Sequence, residues 1–340
     1  MITLYTDISL LTPANRPFVH PLLFDLHYYE HAHPSVKEHY SLVNDASQAE
    51  AFILPLNYLA VKQQSAFDAL LKLARFHKKK LHIYTGGDYG KTFTDPTIMV
   101  WRNAGFKKTN STNTILLPAF MGDPVANGQI ALKTHNYCSK PAISFTGFAN
   151  ASFKEEMRVI LSTLKSNAGR LLKMDVSDFQ RFFNAAGKRM TYLKQLEASQ
   201  KIETSFIYRN KYRAGAQTAV QREHTMQEFF DNLNGAPYTF CMRGAGNFSI
   251  RFYEALACGR IPVLVDTDVV LPLESIISWD NHICRVQSTD NIVERLLHFH
   301  KQHDAEGFEA LQQSNRLLYE NTLVRHHYFC TLHDLLISTL

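Results

Sequence analysis

Short apolar runs, rich in β-branched and aromatic side chains, recur along this chain and alternate with stretches of helical period. In the first part they are ITLYTD (2–7), AFILPLNY (51–58), LHIYTGGD (81–88) and NTILLPAF (113–120), with the helical AFDALLKLARFHKK between two of them. Strands spaced by helices pair in parallel through right-handed crossovers, which predicts a doubly wound α/β domain. Residues 123–141, DPVANGQIALKTHNYCSKP, lose any period and carry Pro and Gly, so one unit ends there.

A second series opens with PAISFTGFAN (141–150) and a helix, SFKEEMRVILSTLK, introduced by the capping box Ser152-x-x-Glu155. Thr225-x-x-Glu228 opens another helix, which Gly235 closes as a left-handed stop. The strands YTFCM, IPVLVD (261–266) and HICRV (282–286) follow, then the helix DNIVERLLHFHK. At 340 residues and 45% hydrophobic, the chain is too long for one ordinary core and suits two. The expected division is 1–138, 139–322 and a terminal segment, 323–340.

Charge narrows the partners. Lys and Arg number 36 against 31 Asp and Glu, a mild excess that fits a small anionic ligand better than a nucleic acid. The run HKKKLH (77–82) reads as a solvated helix end. Five scattered cysteines without C-x-x-C spacing suggest free thiols in a reducing compartment. MITLYTD shows no leader pattern and no apolar run is long enough to span a bilayer, so a cytoplasmic location is expected. His27, His31, His33 and His39, and the later group His298, His300 and His303, lack a Cys partner or an H-E-x-x-H pattern, so no metal is expected.

The chemistry concentrates in CMRGAGNFSIRFYEALACGRIPVLVD, Cys241 to Asp266. A glycine-bearing loop between strand and helix offers free backbone amides to a phosphate, although a tight turn would use the same glycines. Arg251 and Glu254 lie three apart on the helix that follows, either as ligand partners or as a surface ion pair. No Gly is followed by the Lys and hydroxyl of a Walker loop, and RGAGNFS lacks the third Gly of a dinucleotide fingerprint. Both exclusions point to a sugar-nucleotide enzyme.

Residues 237–286 resemble the carboxyl-terminal part of the exostosin-like glycosyltransferases: an F-C strand end, an Arg and Gly loop, Ser249 and Arg251, RFYEAL, C-G-x-I-P-V, an acidic turn and L-P-x-E. AFILPLNY, YTGGDYG and ISFTG are fainter echoes of the same family. The resemblance implies the GT-B fold, two Rossmann-like domains facing a cleft, with a terminal helix crossing back to the first. It implies metal-independent, inverting transfer from a nucleotide-sugar, most often a UDP-sugar, to an oligosaccharide or lipid-linked glycan.

Carried over by position, the donor site is Arg243, Gly244, Gly246, Asn247, Ser249, Arg251 and Glu254, with the arginines on the pyrophosphate and Glu254 on the ribose. Arg209, Lys211 and Arg213 alternate along one strand, either lining the same cleft or charging an exposed edge. The candidate base is Asp88 in YTGGDYG, with Asp7 as rival, unless Asp88 only shapes a turn. His27 or His31 is a possible acceptor contact. The terminal segment has a second reading as an exposed amphipathic stripe for a membrane or partner, and the whole chain one as a nucleotide- or sugar-binding protein without turnover.

Overall fold

The computed structural model describes residues 1–28, 32–109, 111–210 and 215–337. In the first domain β1 (Ile2–Tyr5), β2 (Tyr40–Leu42), β3 (Ala51–Ile53), β4 (Leu81–Tyr84), β5 (Ile98–Arg102) and β6 (Thr114–Leu116) form a six-stranded sheet ordered β2-β1-β3-β4-β5-β6. Its helices are α1 (Pro21–Leu26), α2 (Pro34–His39) and α3 (Gln64–Phe76). Strands β2 and β5 add to the four runs expected from sequence.

The second domain places β7 (Ala142–Phe148), β8 (Glu203–Arg209), β9 (Tyr238–Cys241), β10 (Ile261–Val265) and β11 (Cys284–Val286) in the order β11-β10-β9-β7-β8. Around this sheet lie α4 (Phe153–Leu171), α5 (Ala185–Glu197), α6 (Ala219–Asn234), α7 (Ile250–Ala257), α8 (Ile292–Lys301) and α9 (Ala305–Leu318). Every pairing between these strands is parallel. β9 and β10 are buried along their whole length, as parallel strands covered on both faces must be.

Two local expectations are corrected. Helix α6 starts at Ala219, where the Thr218 hydroxyl and the Gln221 side chain form a reciprocal capping box; Thr225 lies inside the helix. Gly235 ends it with φ −76°, a right-handed conformation open to any residue. Ser152 does cap α4, accepting from Glu155 N at 3.3 Å, but the Glu155 carboxylate turns to Arg158 rather than back to the cap.

Each domain has its own core. One face of the first sheet packs Phe52, Ile83 and Val100 against Phe67 and Leu70 of α3. The second domain buries Ile143, Phe145, Phe240 and Val263 against Leu193 of α5 and Leu296 of α8. The opposite face of the first sheet is covered by α10 (Arg325–Ile337), which returns from the second domain through a π-helical turn, Tyr319–Leu323.

Tyr328, Phe329, Leu332 and Leu336 of α10 are buried, each contributing about 1.5–3 kcal/mol relative to exposure. Polar contacts fix the register: Tyr40 Oη donates to Phe329 O at 2.8 Å, Tyr328 Oη to Leu116 O at 2.6 Å, and Arg325 forks onto the buried Asp25 carboxylate at 2.8 and 2.6 Å. The terminal helix crosses back as expected, and its apolar face is the first domain's core rather than an exposed stripe. The outward crossing is the segment after β6. It lies on the second domain, with Arg316 forked onto Asp123 and Gln312 bonded to both the N–H and C=O of His135. Two parallel α/β domains with a helix returned to the first make up the GT-B arrangement.

Candidate functional site

The site forms where β7 and β9 end. Past β9, Arg243 enters the glycine loop, which runs to Ser249 at the head of α7. Gly246 is sterically required: a Cβ there would sit 2.5 Å from Asp88 O and 2.8 Å from its Cα. The two loops expected to hold donor and base therefore touch across the domain boundary. Gly244 has open space around it and needs no such explanation.

Three arginines gather around the ends of β7 and β9, with the charges of Arg189 and Arg251 close enough to repel. Arg243 is buried, sandwiched between Phe106 and Phe183 at 5.1 and 4.5 Å, and donates to Ala245 O at 2.5 Å. Arg251 lies over Phe145 at 4.6 Å and donates to Thr146 O at 2.6 Å. Arg189 of α5, which nothing in the local sequence singles out, donates to Phe148 O at 2.5 Å and Arg243 O at 3.1 Å, tying the end of β7 to the chain after β9. None of the three forms an ion pair with a described residue, and the Nε atoms of Arg189 and Arg251 are buried without a partner.

Burial lowers the pKa of Arg189 and Arg243 to about 10. The Arg251 charge pushes Arg189 further the same way, while Tyr89 and Asp88 partly restore Arg243. Like charges gathered in a desolvated place are unfavourable alone, and a bound anion would relieve them. The Glu254 carboxylate forms neither the surface ion pair with Arg251 nor a hydrogen bond to another described residue. Burial raises its carboxyl to about 7, against the lowering pull of Arg251. It is thus an acceptor held near the arginines with its oxygens uncommitted.

The remaining expected residues divide. Ser249 caps α7 in backbone geometry without a side-chain bond, and it lines a small pocket together with Arg243, Phe252, Thr267 and Leu271. Asn247 is otherwise engaged: its amide nitrogen donates to Gly105 O, Thr267 O and Asp268 O, and its oxygen accepts from Thr267 Oγ1 at 2.6 Å. It staples the loop to both domains, leaving no evident bond for a donor. Arg209 is bound to α6 through Glu228 at 2.8 Å and Thr225 O at 2.6 Å. Lys211, Arg213 and His31 lie outside the described residues.

Asp88 is exposed at the tip of the loop after β4, where Gly87 and Gly90 take positive φ values of 118° and 66°. Arg102, buried beneath, donates to Tyr89 O, Thr92 Oγ1 and the Asp178 carboxylate. Asp178 belongs to the second domain and donates its own N–H to Gly90 O at 3.0 Å, so both domains shape this loop. Asp7 instead caps the turn Ile8–Leu10, accepting from Ser9 N and Oγ. The early histidines turn toward α10: His33 stacks on His326 at 3.8 Å and His39 meets His333 edge-on. Helices α1 and α2 thus serve as the seat of α10, while His27, the candidate acceptor contact, is exposed at the end of α1. His300 is a core residue, bonded to Tyr238 Oη and Cys138 O.

No family model matches the chain. A stretch of 118 residues is 28% identical to Exostosin-1 of Drosophila melanogaster, covering 35% of this chain and 14% of that protein. Among solved structures, Anabaena HepE in complex with UDP-glucose aligns over 100% of both chains at 9% identity and a TM-score of 0.36. An α-glucosyltransferase in complex with UDP-glucose and DNA aligns over 89% of this chain and 86% of its own at 11% identity, with a TM-score of 0.32. At such scores these likenesses carry no functional weight.

Proposed function

We propose that this protein transfers a sugar from a nucleotide-sugar, a UDP-sugar first, to an oligosaccharide or lipid-linked glycan acceptor. The observation that carries the reading is the group Arg189, Arg243 and Arg251: guanidiniums without an ion-pair partner among the described residues, beside the exposed carboxylate of Asp88. A pyrophosphate supplies the missing anion. Arginine suits it because its planar fork meets two oxygens at once.

In this mechanism the guanidiniums hold the diphosphate and stabilise the charge it gains as the glycosidic bond breaks. Glu254, ionised, accepts from the ribose hydroxyls. Asp88 removes the proton of the acceptor hydroxyl as its oxygen attacks the anomeric carbon from the face opposite the leaving group, so the anomeric configuration inverts. The proton ends on Asp88 and the bonding electrons on the departing nucleoside diphosphate. A thermal-shift screen of nucleoside diphosphates and nucleotide-sugars tests the reading, since a ligand of the native state raises its stability by mass action. Stabilisation by UDP that Arg251→Ala abolishes supports it. No response to any nucleotide refutes it, and donor binding without transfer to any glycan makes the chain a binding protein.

A further inference from the structure

Helix α4 is amphipathic the wrong way round. Among its residues the buried ones are Glu155 and Arg170, whereas Phe153, Met157, Leu161 and Leu164 form a stripe on the solvent side at helical spacing. The apolar surface does not stop with the helix. Leu171, Leu172 and Met174 surround Lys173, which takes a left-handed φ of 58°, and Phe179 and Phe182 continue it. Exposure of these side chains runs from 37% for Met157 to 81% for Met174.

Charge says what this face meets. Arg158 and Arg170 are paired with Glu155 and Asp175, and Asp178 with Arg102. Lys154, Lys165, Lys173 and Arg181 are exposed and take part in no ion pair with a described residue, against Glu156 as the one exposed carboxylate left without one. We infer that the α4 face and the segment after it dock on the surface of an anionic lipid bilayer. Leucines, methionines and phenylalanines enter the interfacial layer, and the lysines lie at headgroup level.

A second copy of the chain fits less well. A helix pairing would use the stripe alone and leave the apolar residues after Leu171 in water, and it would bring unpaired cations against cations. The patch runs in sequence to Phe182, and the next residue, Phe183, stacks on Arg243, so docking would set the candidate site close to the membrane surface. Among the described residues no helix is long and apolar enough to cross a membrane, and attachment by this face is peripheral.

Flotation of the full-length chain with phosphatidylcholine vesicles, with and without phosphatidylglycerol, tests this. The wild type is expected to float with the anionic vesicles and to be released by salt. Leu171→Asp with Leu172→Asp abolishes flotation. Lys154→Glu with Lys165→Glu weakens it by about fivefold or more per lysine, from roughly 1 kcal/mol for each cation near the surface. All these side chains are exposed, so the variants are expected to melt as the wild type does; should the leucine variant misfold, the lysine variant carries the test. A wild type that ignores anionic vesicles, or variants that float unchanged, overturns the inference. So does a wild-type dimer in sedimentation equilibrium that the leucine variant dissociates, which gives the face to a second copy.

Discussion

Glu254→Gln should make this protein more stable as pH rises, with no gain below about pH 4.5 and the full gain above about pH 7. Burial lifts the Glu254 carboxyl from 4.5 to about 7, so in the native state it holds a proton that the unfolded chain has released. Between those values the native state binds more protons, and wild-type stability falls as pH rises. The full penalty stands above the native pKa and vanishes below the unfolded one. At about 1.4 kcal/mol per pH unit the ceiling is about 3.4 kcal/mol, and because Glu254 is partly exposed, solvent reduces it to about 1–2 kcal/mol.

Gln keeps the shape and never ionises. In urea titrations at about pH 8 the variant should therefore exceed the wild type by about 1–2 kcal/mol, and near pH 4.5 the two should coincide. Trp279 packs against Phe252 of α7 at 5.3 Å and reports on this domain by fluorescence. A variant no more stable at high pH, or stabilised equally at both, would refute the burial account. UDP affinity should move the opposite way, because ribose hydroxyls donate to the ionised form: Gln should weaken it by about tenfold or more, and wild-type affinity should decline below pH 7.

Asp88→Asn should lower the turnover of transfer by about 10²–10⁴-fold while leaving UDP affinity by calorimetry unchanged; near-normal turnover would remove Asp88 as base. Gly246→Ala sets a methyl 2.5 Å from Asp88 O, so the two loops must part. A loss of about 1–3 kcal/mol in denaturant titration is expected, together with reduced transfer, and an unperturbed enzyme would show that the loops do not need to touch. Arg325→Ala leaves the Asp25 carboxylate buried without its fork, at a cost of about 3 kcal/mol. Faster amide exchange in α10, with the second domain unchanged, is the accompanying readout.

What the sequence could show depended on how local each feature is. Alternating apolar runs revealed the layered α/β plan because period and length are carried by neighbouring residues. β2 is a three-residue edge strand, YSL, too short to carry a period of its own. β5, IMVWR, is paired on both sides, by β4 and β6, and lacks a strand's alternation because both faces are covered. Hydroxyl-x-x-acid at Thr225 mimicked a cap because the pattern also occurs inside helices, and Thr218 with Gln221 served instead.

At the site, Arg243, Gly246 and Arg251 were legible because they share a short segment with a recognisable order. Arg189 was not. In AAGKRMTYLK it looks like any surface cation, and only the meeting of the chain ends after β7 and β9 gives it partners. Asn247 illustrates the reverse: a polar residue in the loop is a fair ligand by type, yet three carbonyls from two other loops claim its amide.

The chain passes between its domains twice, outward through the segment after β6 and back through the turn Tyr319–Leu323. Two bodies joined at one point can swing and twist in every direction. Joined at two, they keep chiefly the rotation about the line through both joints, as a door keeps only the turn of its hinges. Any opening at Asp88 and Gly246 is thereby steered along one arc. Closure along that arc would return the same pair of residues to contact.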